Sequence, residues 1–434
     1  MKNLKALFRE NLLLKITSLN AFVIVLRLTV SLFAQRVLAV NLGETGIAQI
    51  GQLRNLMQML TGVSSLGTFN GIVKYVAEFN DNRKKLNEVF STVFVFWLIG
   101  AVLAGLFLFF NASWVSLQLF GNQDFTGLIY TVSLMPLVIG VNRIFQGVVN
   151  GLSEYKKYAK IDLFGYLAST ALLVVSLFYY NLKGVLFAIA LTPIIQFVII
   201  LLVFRPILKH YIRLQGLKLK TPYLKPFLGF ALMSLLSSVL LNYIELDIRT
   251  VITNRISVDE AGYWTAVNFI SKNYMVFSSG IFSLYVIPKF SRIYSGSDFK
   301  QEVVHIYKTL LPLFGLGMLL VYLFRFVVID IIYPNFTGMA PLFKWQLLGD
   351  FIRLASLVIA HQFLAKKMVK SFVFTELVSL GMFYFLSKYL VGIYGVEGVV
   401  MAHFYRYIIY FLLVALMVWI FFKRQSSKRP STHD

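Results

Sequence analysis

The chain of 434 residues is 58% hydrophobic and only 14% charged, more apolar surface than a soluble domain can bury, so a polytopic membrane protein is the class to expect. It contains no cysteine, which excludes disulfides, thiol catalysis and thiolate metal sites. The formal charge of +22 is spread in short clusters between apolar runs, so it points to loop topology and anionic lipid rather than to nucleic acid.

The first apolar run, from Leu12 to Val40, is too long for a signal-peptide core and lacks a small-residue cleavage pattern, so it is expected to stay as a span. At roughly 20 apolar residues per crossing, about twelve helical spans follow. They lie near 13–40, 47–78, 88–110, 126–149, 160–180, 184–204, 227–252, 261–288, 303–332, 339–365, 371–391 and 396–422. The connecting segments alternate in charge. One set holds Lys2, Lys5 and Arg9, then Arg83 to Lys85, Lys156 to Lys160, Arg205–Pro226, Lys289 to Lys300, Lys366 to Lys370 and the tail. The other set carries only Lys183 and Arg255. The positive-inside rule makes the first set cytoplasmic, with both termini on that side.

Arg205–Pro226 is the longest polar stretch. It divides the chain into an N-lobe (1–204), a cytoplasmic linker (205–226), a C-lobe (227–422) and a basic tail (423–434). An even number of spans in each half gives both the same orientation, as in parallel repeats around a central cavity. "GETGIAQ" (Gly43–Gln49), after the first span, is echoed by "DEAGYWT" (Asp259–Thr265), after the seventh.

Several spans carry polar faces. Arg27 lies about fourteen residues from either end of its run, or ~20 Å at 1.5 Å per residue, too deep for easy snorkelling. At about 100° per residue it shares an arc with Thr17, Asn20, Ser31 and Gln35. The same spacing groups Arg54, Gln58, Thr61 and Ser65 in span two, and Asn142, Arg143, Gln146 and Asn150 in span four. Span seven groups Ser234, Ser238, Asn242, Glu245 and Arg249, and span eight groups Thr265, Asn268, Lys272, Ser279 and Ser283. Glu245–Arg249 and Asp350–Arg353 have the spacing of local ion pairs. Arg27, Arg54 and Lys272 have no acid on their own helical face, which points to a hydrated cavity that accepts an anion; arginine forks suit phosphate. Glu245, Asp350 and Glu376 are candidates for coupling ion movement to transport, with pairing to a nearby arginine as the alternative. His403 is expected to be a packed histidine near Arg406. No phosphate-binding loop, zinc-protease motif or nucleophile elbow is present, and no cofactor or metal is expected.

"FNGIVKYVAEFNDN" (Phe69–Asn82), "YLKP" (Tyr223–Pro226), "YVIPKFSRI" (Tyr285–Ile293) and "LFKWQLLGD" (Leu342–Asp350) resemble, in the same order, the Wzx-type flippases of O-antigen and enterobacterial common antigen (lipid III) units. These belong to the multidrug/oligosaccharidyl-lipid/polysaccharide exporter superfamily. The resemblance implies an all-α inner-membrane protein with two six-helix lobes. It would move undecaprenyl-pyrophosphate-linked oligosaccharide from the cytoplasmic to the periplasmic leaflet by alternating access. Membrane lipids are expected partners, with a polysaccharide polymerase and a chain-length regulator as further candidates; nucleic acid is not. On this reading Arg27, Arg54, Lys272 and Arg143 hold the pyrophosphate, while Asn20, Gln58, Asn242 and Asn268 bind sugars. Lys74, Arg292 and Asp350 fall in the matched blocks, the first two without an assigned role. The alternatives are a drug exporter of the same superfamily, whose cationic substrates would want carboxylates, and a membrane-embedded polymerase or glycosyltransferase.

Overall fold

The computed structural model describes residues 12–80, 82–152, 154–211 and 219–426. Lys2, Lys5 and Arg9, the linker residues 212–218 and the tail after residue 426 lie outside the described residues. Thr17, Asn20, Ser279 and Ser283 stand in helices, but their side chains lie outside those described. Every regular element among the described residues is helical. The first half of the chain forms α1 (Leu12–Ser65), α2 (Thr68–Glu78), α3 (Arg83–Phe110), α4 (Ala112–Phe120), α5 (Thr126–Gly151) and α6 (Tyr155–Tyr211). Then come α7 (Leu224–Ser234), a π-helical segment at Leu235–Leu240, α8 (Leu241–Arg255), α9 (Val258–Ile281) and a second π segment at Phe282–Val286. The chain ends with α10 (Ile287–Ser291), α11 (Gly296–Leu323), α12 (Arg325–Ile332), α13 (Leu342–Ala365), α14 (Val369–Tyr394) and α15 (Glu397–Ser426).

Among the described residues nine helical stretches are long and apolar enough to cross a membrane. They are fewer than the apolar runs read from the sequence because two of the stretches each hold two helices joined at a kink. Helix α1 carries the first two runs, broken only at Gly43 (φ 61°, ψ −165°), and α6 carries the fifth and sixth, broken at Asn181 (φ 48°, ψ −142°). The eighth run, 261–288, begins in α9 (Val258–Ile281), which bears a polar face and is not among the nine. At Asn181 the chain reverses. A Cβ on Gly184 would lie 2.3 Å from the carbonyl oxygen of Ser176, whereas an unbroken helix would hold those residues about 12 Å apart. Gly395 (φ 60°, ψ −146°) makes the same reversal, with Gly398 against the Leu390 carbonyl at 2.4 Å. "YNLKG" (180–184) and "YGVEG" (394–398) are therefore two copies of one helical corner, half a chain apart.

Local chemistry sets several other boundaries. The Asn82 side chain accepts the Lys85 amide at 3.1 Å and caps α3, satisfying one of the donors a helix start leaves open. Ser295 caps α11 in the same way. Gly121, in the left-handed region at φ 76°, ends α4 where a side chain would be strained.

Packing divides the chain into two compact units, one holding residues up to Leu42 with Gln49–Tyr243, the other Gly43–Ala48 with residues from Ile244. The dividing point at Tyr243 lies beyond the polar stretch Arg205–Pro226. The reason is apolar contact: Phe227 of α7 is fully buried in a core with Ile72, Val76, Val89, Val93 and Val148, which ties α7 to the first unit. Gly43–Ala48 joins the second unit because Gly262 lies against the Glu44 backbone and Thr45 Oγ1 donates to Asp259 Oδ1 at 3.0 Å. The two echoing stretches thus meet each other. The second unit's core gathers Phe282, Val286, Phe290, Val358, Phe363 and Val414. Leu103, Leu106 and Phe110 on α3, and Leu313, Leu316, Leu320 and Leu323 on α11, stay exposed, as lipid-facing helices require.

Close helix contact in the first unit depends on Gly140, where a Cβ would lie 1.9 Å from Trp97 Cδ1. Trp97 Nε1 also donates to the Leu137 carbonyl at 3.1 Å. Gly140→Ala is expected to displace the indole and cost about 1–3 kcal/mol, read as a lower unfolding temperature of the detergent-solubilised protein. An unchanged temperature would show that the contact tolerates a methyl group.

Candidate functional site

A cavity of about 480 Å³ lies within the first unit, a volume typical of small-ligand sites. Five helical faces converge on it. Helix α1 supplies Arg27 and, on the far side of its break, Arg54, Gln58 and Thr61; α5 supplies Asn142, Arg143 and Gln146. The two halves of α6 supply Tyr158, Asp162, Tyr166 and Ser169, then Thr192, Pro193 and Gln196. Residues three or four apart share a helical face, so the α1, α5 and α6 sets each project to one side. Pro193 sits inside α6, and its carbonyl oxygen accepts Asn142 Nδ2 at 2.7 Å.

Three arginines line this cavity against a single carboxylate. The Arg27 guanidinium pairs with Asp162 and lies over the Tyr166 ring, 4.8 Å from its centroid. Arg143 lies over Phe69 at 4.2 Å and donates Nη1 to Gln146 Oε1 at 3.3 Å, while its Nε is buried with no partner. Asn142, only 2% exposed, has an unpartnered Oδ1, and Ser169 has an unpartnered hydroxyl. The cavity therefore offers fixed cations together with unspent donors and acceptors. That combination suits an anionic headgroup carrying hydroxyls.

Arg27, Arg54, Arg143 and Gln58, expected from the stripes, line this one cavity. Asn242 is also in the first unit, 4% exposed, with Nδ2 donating to the Ser238 carbonyl at 2.7 Å. Asn268 and Lys272 belong to the second unit. The expectation that Arg27 and Lys272 lack an acid is corrected. It holds along their own helices, but Asp162 reaches Arg27 from α6 and Glu245 reaches Lys272 from α8, with Nζ to Oε2 at 2.6 Å. Periodicity along one helix cannot register a neighbour's side chain. For the same reason Asp162, Tyr158 and Tyr166 were missed, although "YxxxDxxxYxxS" at 158–169 shows the four-residue spacing that would have revealed them.

The second unit holds a buried polar cluster around Asp350, which has no exposed surface. Ser271 Oγ at 2.5 Å, Gln346 Nε2 at 3.1 Å and the Tyr274 hydroxyl donate to Oδ2; His403 Nε2 lies 3.1 Å from Oδ1. The local pair with Arg353 is present but long, 3.9 Å. His403 is packed as expected, edge-on to Phe383 and Tyr407, and it is also a partner of Asp350. Arg249 Nε donates to Thr265 Oγ1 at 2.7 Å, and Glu376 accepts the Tyr410 hydroxyl at 2.9 Å. Lys74 and Arg292 are exposed, with Lys74 over the Tyr75 ring and Arg292 closing α10. Among the described residues no cluster of metal-ligating side chains occurs.

Residues 53–341 match a family described as "Polysaccharide biosynthesis protein". The chain is similar to the lipid III flippase of Escherichia coli (strain K12), 30% identical over 392 residues that cover 88% of this chain and 92% of that protein. The lipid III flippase of Shigella flexneri matches to the same extent. Among solved structures it is similar to an inward-facing multidrug resistance MATE family transporter of the MOP superfamily, with a TM-score of 0.75 at 14% identity, covering 91% of this chain and 96% of that one. It is also similar to the lipid II flippase MurJ in an inward closed conformation, with a TM-score of 0.70 at 15% identity, covering 92% and 87%. At such identities these two likenesses concern the fold alone.

Proposed function

The chain belongs to the polysaccharide biosynthesis protein family, and from that premise we propose that it is a flippase of the bacterial inner membrane, moving undecaprenyl-pyrophosphate-linked oligosaccharide from the cytoplasmic to the periplasmic leaflet. It is a multi-pass transporter of lipid-linked oligosaccharide. The observation that carries this reading is the cavity in which Arg27, Arg54 and Arg143 outnumber the single carboxylate of Asp162.

In the proposed mechanism these guanidiniums grip the diphosphate, the part of the substrate that cannot cross lipid unaided. Gln58, Asn142 and Gln146 hydrogen-bond sugar hydroxyls, with Asn20, Asn242 and Asn268 as further sugar ligands and Lys272 as a further cation. The polyprenyl tail stays in the bilayer. Access alternates between the leaflets, and Glu245, Asp350 and Glu376 are the proposed coupling groups. The two six-span lobes, the cytoplasmic placement of both termini, and a polysaccharide polymerase and chain-length regulator as partners belong to the same proposal. A multidrug exporter is disfavoured because three lining arginines would repel a cationic drug.

The test is leaflet-resolved transport of a defined polyprenyl-pyrophosphate oligosaccharide in reconstituted vesicles. Arg27→Ala, Arg54→Ala, Arg143→Ala and Lys272→Ala are each expected to slow transport by about tenfold to a hundredfold, the value of a charge-assisted contact, the three arginine variants without loss of folded protein. Wild-type rates in all four would discard the assignment.

A further inference from the structure

We propose that Asp162 is a built-in stand-in for the diphosphate: in the empty cavity its carboxylate occupies the Arg27 guanidinium, and an arriving headgroup displaces it. This rests on the anion-binding reading of the cavity given above.

The two members of the pair are held differently. Arg27 has two attachments, the Asp162 carboxylate and the face of Tyr166. Among the described residues the only hydrogen-bonding partner of Asp162 is Arg27. When the pair opens, the guanidinium keeps its place on the ring and the carboxylate is the part that moves. The pair is also accessible from the cavity, with the two side chains 36% and 42% exposed. Pairs this exposed are held weakly and exchange partners readily. A carboxylate and a phosphate present the same forked acceptor geometry to an arginine. Asp162 can therefore satisfy Arg27 with the contacts the substrate would make, and give way to a ligand of higher charge.

The position of Asp162 gives the exchange a purpose. Among the described residues it is the only carboxylate lining a cavity with three arginines. Without it, the empty site would leave a guanidinium uncompensated inside the membrane, and the filled site would hold a diphosphate too firmly to release it. With it, a displaced negative charge stays beside the bound headgroup and opposes it, which favours release. A carrier gains nothing from binding its cargo equally tightly throughout the cycle, since turnover depends on letting go. Tyr158 and Tyr166, one helical turn to either side of Asp162, line the same cavity.

The experiment is titration calorimetry on the purified full-length protein in detergent, with inorganic pyrophosphate and geranyl diphosphate as probes. Wild type, Asp162→Asn, Asp162→Ser, Asp162→Glu and Arg27→Ala are compared, and each is also assayed for transport in vesicles. Removing the charge in Asp162→Asn or Asp162→Ser should tighten diphosphate binding by about tenfold, the effect of one like charge removed at short range. In the same variants both KM and kcat for transport should fall, because release slows. Asp162→Glu, which keeps the carboxylate, should bind as wild type does, and Arg27→Ala should bind weakly whatever stands at 162. Tightening with geranyl diphosphate but not with pyrophosphate would assign the site to a lipid-borne headgroup, and tightening with both to any free diphosphate; either supports the exchange. If wild type binds and Arg27→Ala does not, yet neither neutral variant binds more tightly, Asp162 is only a structural partner and the proposal fails. If no form of the protein binds either probe, the anion-binding reading of the cavity fails with it. The serine variant keeps the test decisive should the asparagine variant fold poorly.

Discussion

Asp350→Ala is expected to destabilise the folded protein by about 3–5 kcal/mol, the cost of breaking up a buried charge network, and to abolish transport. The side chain has no exposed surface, and it accepts from Ser271, Tyr274 and Gln346 while facing His403 and Arg353. Alanine leaves those groups pointing into a void that apolar neighbours cannot satisfy, and buried polar groups without partners are costly. Two of the partners come from α9 and one from α15, so the loss loosens α13 from both neighbours. The contact with α15 is tight: a Cβ on Gly349 would lie 2.4 Å from His403 Cδ2. Asp350→Asn keeps the shape and one acceptor oxygen, and should lose no more than about half as much. Denaturant unfolding in detergent measures both variants. Equal stability of Asp350→Ala and wild type would mean that the cluster contributes nothing to the fold. If Asp350 also couples ion movement, Asp350→Asn should fold but lose the dependence of transport on an imposed ion gradient. Retention of that dependence would confine Asp350 to a structural role.

Lys272→Met is the second large effect, because the Lys272–Glu245 pair is lopsided. The lysine side chain is 43% exposed and the glutamate only 7%. Removing the lysine strands a buried carboxylate, with an expected cost of about 2–3 kcal/mol, whereas Glu245→Gln frees an ammonium that water can solvate and should cost about 1 kcal/mol or less. The double variant should be more stable than the lysine variant alone, with a coupling energy of about 1–2 kcal/mol from the cycle. Additive single effects would show that the contact carries no energy of its own. Transport separates the two roles proposed for Lys272. A defect that persists in the double variant after stability recovers belongs to substrate binding.

Much of the fold was legible because lipid imposes simple requirements on sequence. Apolar runs marked helices, and the 3.6-residue period put Arg54 and Gln58 on one face and Asn142, Arg143 and Gln146 on another, faces that line one cavity. The break at Asn181 also falls between the spans read as 160–180 and 184–204. Two things were not legible, for related physical reasons. The boundary between the packed units follows Phe227 into a core built from distant segments, and polarity along the chain carries no record of that contact. The acids facing Arg27 and Lys272 stand on other helices. One-dimensional periodicity says which way a side chain points, and nothing about what it meets there.

The duplicated corner has a consequence of its own. Asn181 and Gly395 adopt nearly the same backbone angles, yet Lys183 stands where the other copy has Glu397, whose Oε1 accepts the Trp345 indole at 2.8 Å. The two corners share a main-chain trace and differ in charge. One unit carries an excess of guanidinium groups around a void, while in the other the buried carboxylates of Glu245 and Asp350 face cations. A vectorial carrier benefits from that divergence, because two equivalent halves would give the cargo no preferred resting place.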